Sequence, residues 1–180
     1  QGGDRHRYSP PPVHFDLRSA FRGLTRVSDA DQKQPLPQSV LFCCDQNAVR
    51  SPMAEGIMKK FYGQDVYVQS AGIRSDLEID GFAIAVCSEI GVELNRHRTR
   101  SFEEMEKRGE ELSSFDMVVA LTPASRSKAE DLTRFDHLEL EFWPVSDPSG
   151  AQAGDGREAK LAAYRTARDE IVAFLRERWG

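Results

Sequence analysis

Residues 39–63 read SVLFCCDQNAVRSPMAEGIMKKFYG. The first six, Ser39 to Cys44, form a short apolar, β-leaning run of the kind that fills a buried parallel strand. A polar turn follows, then a segment that opens with Ser51, able to cap, and Pro52, suited to a first helical position. Met53, Ile57 and Phe61 complete it as an apolar stripe at helical spacing. Strand, turn and helix thus follow one another within 25 residues. Outward from there the alternation continues. VYVQS (66–70) reads as a second strand, and DGFAIAVCSEI (80–90) carries Phe82, Ala83, Val86, Cys87 and Ile90 at helical spacing, with Gly91 as its stop. SFEEMEKRGEEL (101–112) reads as a charged, exposed helix, FDMVVALT (115–122) as a third strand, LELEFWPV (138–145) as a fourth, and residues 155–178 as a terminal amphipathic helix. Strands alternating with helices imply a parallel α/β sheet with right-handed crossovers. Such sheets bind ligands beyond the carboxyl ends of their strands, which points to the loop after the first.

The chain is 180 residues long, 39% hydrophobic and 29% charged, with both signs interspersed. That is the size and composition of one globular domain and excludes collagen-like or low-complexity chains. No apolar stretch approaches a membrane span, and residues 1–12 (QGGDRHRYSPPP) lack the apolar centre of a signal peptide. Three cysteines make no disulfide framework, so a reducing cytoplasm is expected. The net charge of −5 is unfavourable for nucleic acid or an anionic membrane surface. Residues 1–37 differ from the rest. They hold six Lys/Arg against four Asp, with prolines at both ends and apolar Phe15, Leu17, Phe21 and Leu24 between. The expectation is an N-terminal extension, partly disordered or packed on a domain spanning residues 38–180.

The chemistry concentrates in Cys44-Asp45-Gln46-Asn47-Ala48-Val49-Arg50-Ser51. A loop between a strand and a helix can turn successive backbone N–H groups inward as an anion nest, closed by the positive end of the helix. Arg50 can add a bidentate fork to two phosphate oxygens. The same field favours the Cys44 thiolate, and Ser51 can donate a hydrogen bond to it. Asn47 tolerates left-handed backbone and can tie the loop through its amide. The bland alternative is a buried cysteine ending a strand and an arginine on a first helical turn. Cys43 and Cys87 read as core residues. A Cys43–Cys44 disulfide is disfavoured, since adjacent Cα atoms lie about 3.8 Å apart, below the usual range.

The run VLFCCDQNAVRSPMAEG resembles the phosphate-binding loop and first helix of the low-molecular-weight protein-tyrosine phosphatases. Ser70-Ala71-Gly72, Gly91-Val92-Glu93-Leu94, His97-Arg98 and Asp147-Pro148 follow in matching order, so the resemblance covers residues 38–180. It implies a three-layer α/β sandwich, with a four-stranded parallel sheet of order 2-1-3-4 and helices on both faces. It also implies phosphomonoester hydrolysis through a phosphocysteine, with Cys44 as nucleophile, Arg50 and the loop amides of Asp45, Gln46, Asn47, Ala48 and Val49 on the phosphate, and Asp147 as general acid. The residue matching Ser70 would hydrogen-bond Asn47. No metal or cofactor is implied. The partners would be phosphorylated proteins or small molecules, not nucleic acid or membrane, for a monomer or weak dimer. Taken locally, Asp147-Pro148 is also an ordinary turn starter, and His97-Arg98 reads as a structural element of a loop.

The chain departs from the family pattern at four places. Gln46 stands where a glycine is frequent and Val49 where a second loop cysteine is frequent. Asp45 and Ser149 replace the apolar and aromatic residues that sandwich a phosphotyrosine ring, which opens the substrate to other phosphorylated groups. Two other functions compete with the phosphatase reading. A catalytically weak phosphate- or phosphopeptide-binding module would explain the altered mouth. An arsenate reductase would share the fold and the loop, but a disulfide relay needs two further cysteines and only Cys87 lies downstream.

Overall fold

The computed structural model describes residues 34–150 and 156–180. Four strands, β1 (Ser39–Cys44), β2 (Tyr67–Gly72), β3 (Met117–Ala120) and β4 (Glu139–Phe142), form one sheet of order β2-β1-β3-β4. All three pairings are parallel, with Val40 opposite both Val68 and Met117. Helices α1 (Arg50–Tyr62), α2 (Gly81–Ser88), α3 (Phe102–Lys107), α4 (Pro123–Leu132) and α5 (Arg157–Trp179) supply the crossovers and the C-terminal element. The three-layer α/β architecture and strand order are those expected. Phe15, Leu17, Phe21 and Leu24, expected to pack on the domain, lie outside the described residues, as does most of the 1–37 segment.

The sheet is buried on both faces, which is why its central strand reads as an unbroken apolar run rather than an alternation. Along β1, Val40 and Phe42 enter one core with α1, α2 and α5, while Leu41 and Cys43 enter a second with α3 and α4. Strand β3 divides the same way, Met117 and Val119 to the first core and Val118 and Ala120 to the second. Helix α5 turns one stripe inward, with Leu161, Tyr164, Ala167, Ile171, Leu175 and Trp179 all buried at three- and four-residue spacing. Leu36 also packs against the first core.

Three sequence expectations are corrected. Ser51 does not cap α1: Val49 occupies the cap position without a side-chain bond, and the Ser51 hydroxyl is engaged elsewhere. Residues 101–112 are not one exposed helix. Only Phe102–Lys107 is helical, and it buries Phe102 and Met105 beneath its charged face. Two apolar side chains in six residues suffice for a short helix on a flat sheet, and the charges hid them. Helix α4 has no counterpart in the sequence reading. Its sequence PASRSKAEDL buries only Ser125 and Ala129, too thin a stripe for periodicity to detect. Its start is nonetheless marked by Thr122 and Ser125, which cap each other reciprocally, and by Pro123 in the first turn.

Gly72, at the end of β2, is where the fold touches the loop after β1. A Cβ there would lie 2.6 Å from the Arg74 carbonyl oxygen and 2.7 Å from the Asn47 nitrogen, both backbone atoms. Gly72→Ala is therefore expected to destabilise the protein by about 1–3 kcal/mol, measured by urea unfolding. An unchanged unfolding midpoint would show that the strand end has room to give.

Candidate active site

The loop between β1 and α1 is wound by one residue. Asn47 sits at φ +56°, the only non-glycine residue with positive φ among those described. Its buried amide explains how that geometry is held. Nδ2 donates to Ser51 Oγ and to Ser70 Oγ, both at 2.9 Å. Oδ1 accepts the Arg100 backbone N–H at 3.0 Å and lies 3.0 Å from His97 Nε2. Because Oδ1 only accepts, that imidazole nitrogen must carry the proton. Burial, the largest influence on His97, lowers its pKa below the usual value, and facing Glu55 and the Asn47 bond offset this only in part. The ring is therefore held neutral, as a fixed donor.

The bonding extends in both directions from Asn47. Ser70 Oγ donates to Glu55 Oε1 at 2.9 Å, and Glu55 accepts from Lys59 at 3.0 Å. On the other side Ser51 Oγ lies 2.9 Å from Cys44 Sγ. Since Ser51 already accepts from Asn47, its own hydrogen is free to point at the sulfur. The backbone is pinned too: Cys44, Asp45 and Ala48 carbonyls accept from Ile73, Arg74 and Asp80 N–H groups at 3.1, 2.9 and 3.0 Å. The Gln46 side-chain carbonyl accepts from the Asp76 N–H at 3.1 Å, so the residue standing where a glycine is frequent also holds the next loop.

A cavity of about 200 Å³ opens at the carboxyl end of β1, lined by Cys44, Asp45, Gln46, Ala48, Val49, Arg50, Leu77, Asp147 and Ser149. Asp147 thus reaches the same pocket as Cys44 across a hundred residues of chain. Arg50 Nη1 donates to the Val145 carbonyl at 3.3 Å, which ties the head of α1 to the loop carrying Asp147. Asp147 Oδ1 accepts from the Ser149 N–H at 3.0 Å and from its hydroxyl at 2.7 Å. Partial burial, the largest single influence, raises its pKa, but the two Ser149 bonds and Arg50 outweigh it and leave the carboxyl below its ordinary range. Asp45 lines the pocket, and its Oδ1 accepts from Thr122 Oγ1 at 2.7 Å.

Of the expected site residues, Asn47, Ser51 and Ser70 form the bonded support beneath the loop, and the other seven line the pocket. Sequence reasoning missed Glu55, Arg100, Thr122 and Leu77. Glu55 lies one turn beyond Ser51, a spacing that places it on the loop-facing side of α1. Thr122 and Arg100 carry no local signal, since only the sheet brings them near. Cys43 and Cys87 are buried, one in each core, and burial pushes the Cys43 thiol far up and that of Cys87 to about 12. Among the described residues, no three His, Cys, Asp or Glu side chains are grouped to hold a metal, and no helix is long and apolar enough to cross a membrane.

The chain belongs to the low molecular weight phosphotyrosine protein phosphatase family, whose model matches residues 39–175. It is 30% identical over 138 residues to an arsenate reductase of Bacillus subtilis, covering 77% of this chain and 92% of that one. Among solved structures, the low molecular weight protein tyrosine phosphatase from T. tengcongensis is 25% identical, with a TM-score of 0.58 over 78% of this chain and 96% of that one. An arsenate reductase in its oxidised state shares the fold at 22% identity, with a TM-score of 0.61 over 78% of this chain and 95% of the other.

Asn47→Ala removes four partners at once and leaves an alanine in left-handed backbone. It is expected to cost at least about 2 kcal/mol in chemical unfolding. A loss below about 0.5 kcal/mol would mean that the loop is held by its backbone bonds alone.

Proposed function

We propose that this chain is a cysteine-dependent phosphatase that hydrolyses a phosphomonoester through a phosphocysteine. One observation carries the reading: the Cys44 sulfur, Arg50 and Asp147 line a single pocket, with Ser51 bonded to the sulfur. The Cys44 thiolate attacks phosphorus, forming the S–P bond as the P–O bond to the leaving group breaks. Arg50, the inward amides of residues 45–50 and the positive end of α1 hold the three equatorial oxygens, where charge spreads in the transition state. Asp147, protonated, gives its proton to the leaving oxygen. As a carboxylate it then takes a proton from water, whose oxygen attacks phosphorus and breaks the S–P bond. Ser51 steadies the sulfur as nucleophile and again as leaving group. Phosphorylated proteins or small molecules would be the substrates, acted on in the cytoplasm by a monomer or weak dimer.

The ionised resting state of Asp147 has a consequence for pH. The acid role needs the proton that the Ser149 bonds and Arg50 discourage, and a bound phosphate dianion restores it by repulsion. The free enzyme's fraction of protonated Asp147 falls as pH rises, so kcat/KM is greatest under acidic conditions.

A second reading, arsenate reduction, is favoured by the name of the Bacillus subtilis relative. Against it stand the two remaining cysteines: each is buried in a different core and neither lines the pocket, so neither is placed to take a disulfide from Cys44. An arsenate reductase built this way would need an external thiol.

Hydrolysis of a simple aryl phosphate tests the proposal. Turnover is expected from the native chain and none from Cys44→Ser. Asp147→Asn should lower kcat by about 10²–10⁴-fold and flatten the fall of kcat/KM between about pH 5 and pH 8. Absence of native turnover beside tight phosphate binding would favour a binding module. Arsenate-dependent oxidation of added thiol without phosphate release would favour the reductase.

A further inference from the structure

We propose that Asp45 makes this pocket select phosphorylated substrates that carry a positive charge, such as an ammonium group, on the leaving-group side of the phosphoryl group. The inference rests on the phosphatase reading and deepens it.

Asp45 follows the nucleophile directly and lines the pocket. An acidic side chain there opposes a phosphate dianion, and a free one would swing into solvent. This one is fixed. Its Oδ1 accepts from the hydroxyl of Thr122, which is itself 2% exposed and caps α4. The carboxylate is therefore a built wall of the pocket rather than a stray surface charge. None of the ion pairs among the described residues involves it.

The charges around it are unbalanced in one direction. Among the described residues Arg50 is the only cation lining the pocket, and in the proposed reaction it is committed to the phosphoryl oxygens. Asp147 is neutral when it acts as acid. A bound phosphomonoester therefore leaves the Asp45 charge without a counterpart inside the pocket, Arg74 lying in the adjoining groove, and a cation on the leaving group supplies one. The remaining wall fits such a group better than a neutral ring. Among the described residues no Phe, Tyr or Trp lines the cavity, Ala48 is small, and Leu77, 56% exposed, offers an aliphatic rim. Asp45 and Gln46 also separate the pocket from an adjoining groove of about 290 Å³, lined in addition by Ile73, Arg74 and Ala124.

The test uses three aryl phosphates that differ only in the para substituent: aminomethyl (cationic), methyl (neutral) and carboxylate (anionic). For the full native chain, kcat/KM is expected to favour the cationic over the anionic ester by about tenfold or more. In Asp45→Asn the ratio should fall to within about threefold of unity, and on the native protein added salt should compress it, which needs no variant to fold. Affinities of the same three esters for Cys44→Ser, measured by calorimetry, should follow the same order without turnover. A ratio that is unchanged in Asp45→Asn, or insensitive to salt in the native protein, overturns the inference while the phosphatase reading stands. A charge order retained in binding without native turnover overturns the hydrolytic reading and supports the selection by Asp45. Equal affinities without turnover overturn both.

Discussion

Everything at the pocket depends on the left-handed turn at Asn47. A non-glycine residue in that region is strained unless its surroundings over-determine it, and here four hydrogen-bonding groups do so from three directions. Ser51 comes from α1, Ser70 from β2, and His97 and Arg100 from the segment after α2. The turn thus exists only where strand, helix and crossover already agree. Its result is a connected set of bonds that run outward from the Asn47 amide, through Ser51 to the Cys44 sulfur and through Ser70 to Glu55, which also accepts from Lys59. Bonds linked in this way polarise one another and hold the Ser51 hydroxyl beside the sulfur.

How much of this the sequence disclosed varies from residue to residue for physical reasons. The strand–loop–helix unit of residues 39–63 was legible because a strand buried on both faces needs an unbroken apolar run and Pro52 tolerates only the first helical turn. Cys44 and Arg50 were legible because their spacing has a use in itself. Ser51 was read with two uses, as a helix cap and as a partner of the sulfur; the helix starts without it, and its hydroxyl lies 2.9 Å from Cys44 Sγ. Asp147 rested on resemblance alone, since Asp-Pro is common in turns and only the sheet brings it to Cys44. Thr122 and Glu55 were invisible, because their partners, Asp45 and Ser70, lie on other elements. Helix α4 was missed because its buried side chains are a serine and an alanine.

The departures from the family pattern become coherent once placed in the fold. Gln46 lines the pocket and is accommodated by accepting a bond from the Asp76 N–H with its side-chain carbonyl. Ser149 does not merely leave out an aromatic wall; it bonds Asp147 and sets the orientation of that carboxylate. Asp45 is anchored by the capping residue of a helix on the other side of the loop. Three of the four altered residues thus make a specific side-chain bond; Val49 makes none.

The pocket also joins two kinds of contact. The turn at Asn47 is held by partners no more than 53 residues away, whereas the bond from Arg50 to Val145 closes 95 residues of chain. Parts of such different sequence separation need not form together, because loop closure delays the distant one. In the proposed reaction, the loop that would hold the oxyanion and the aspartate that would protonate the leaving group therefore need not come into place together as the chain folds.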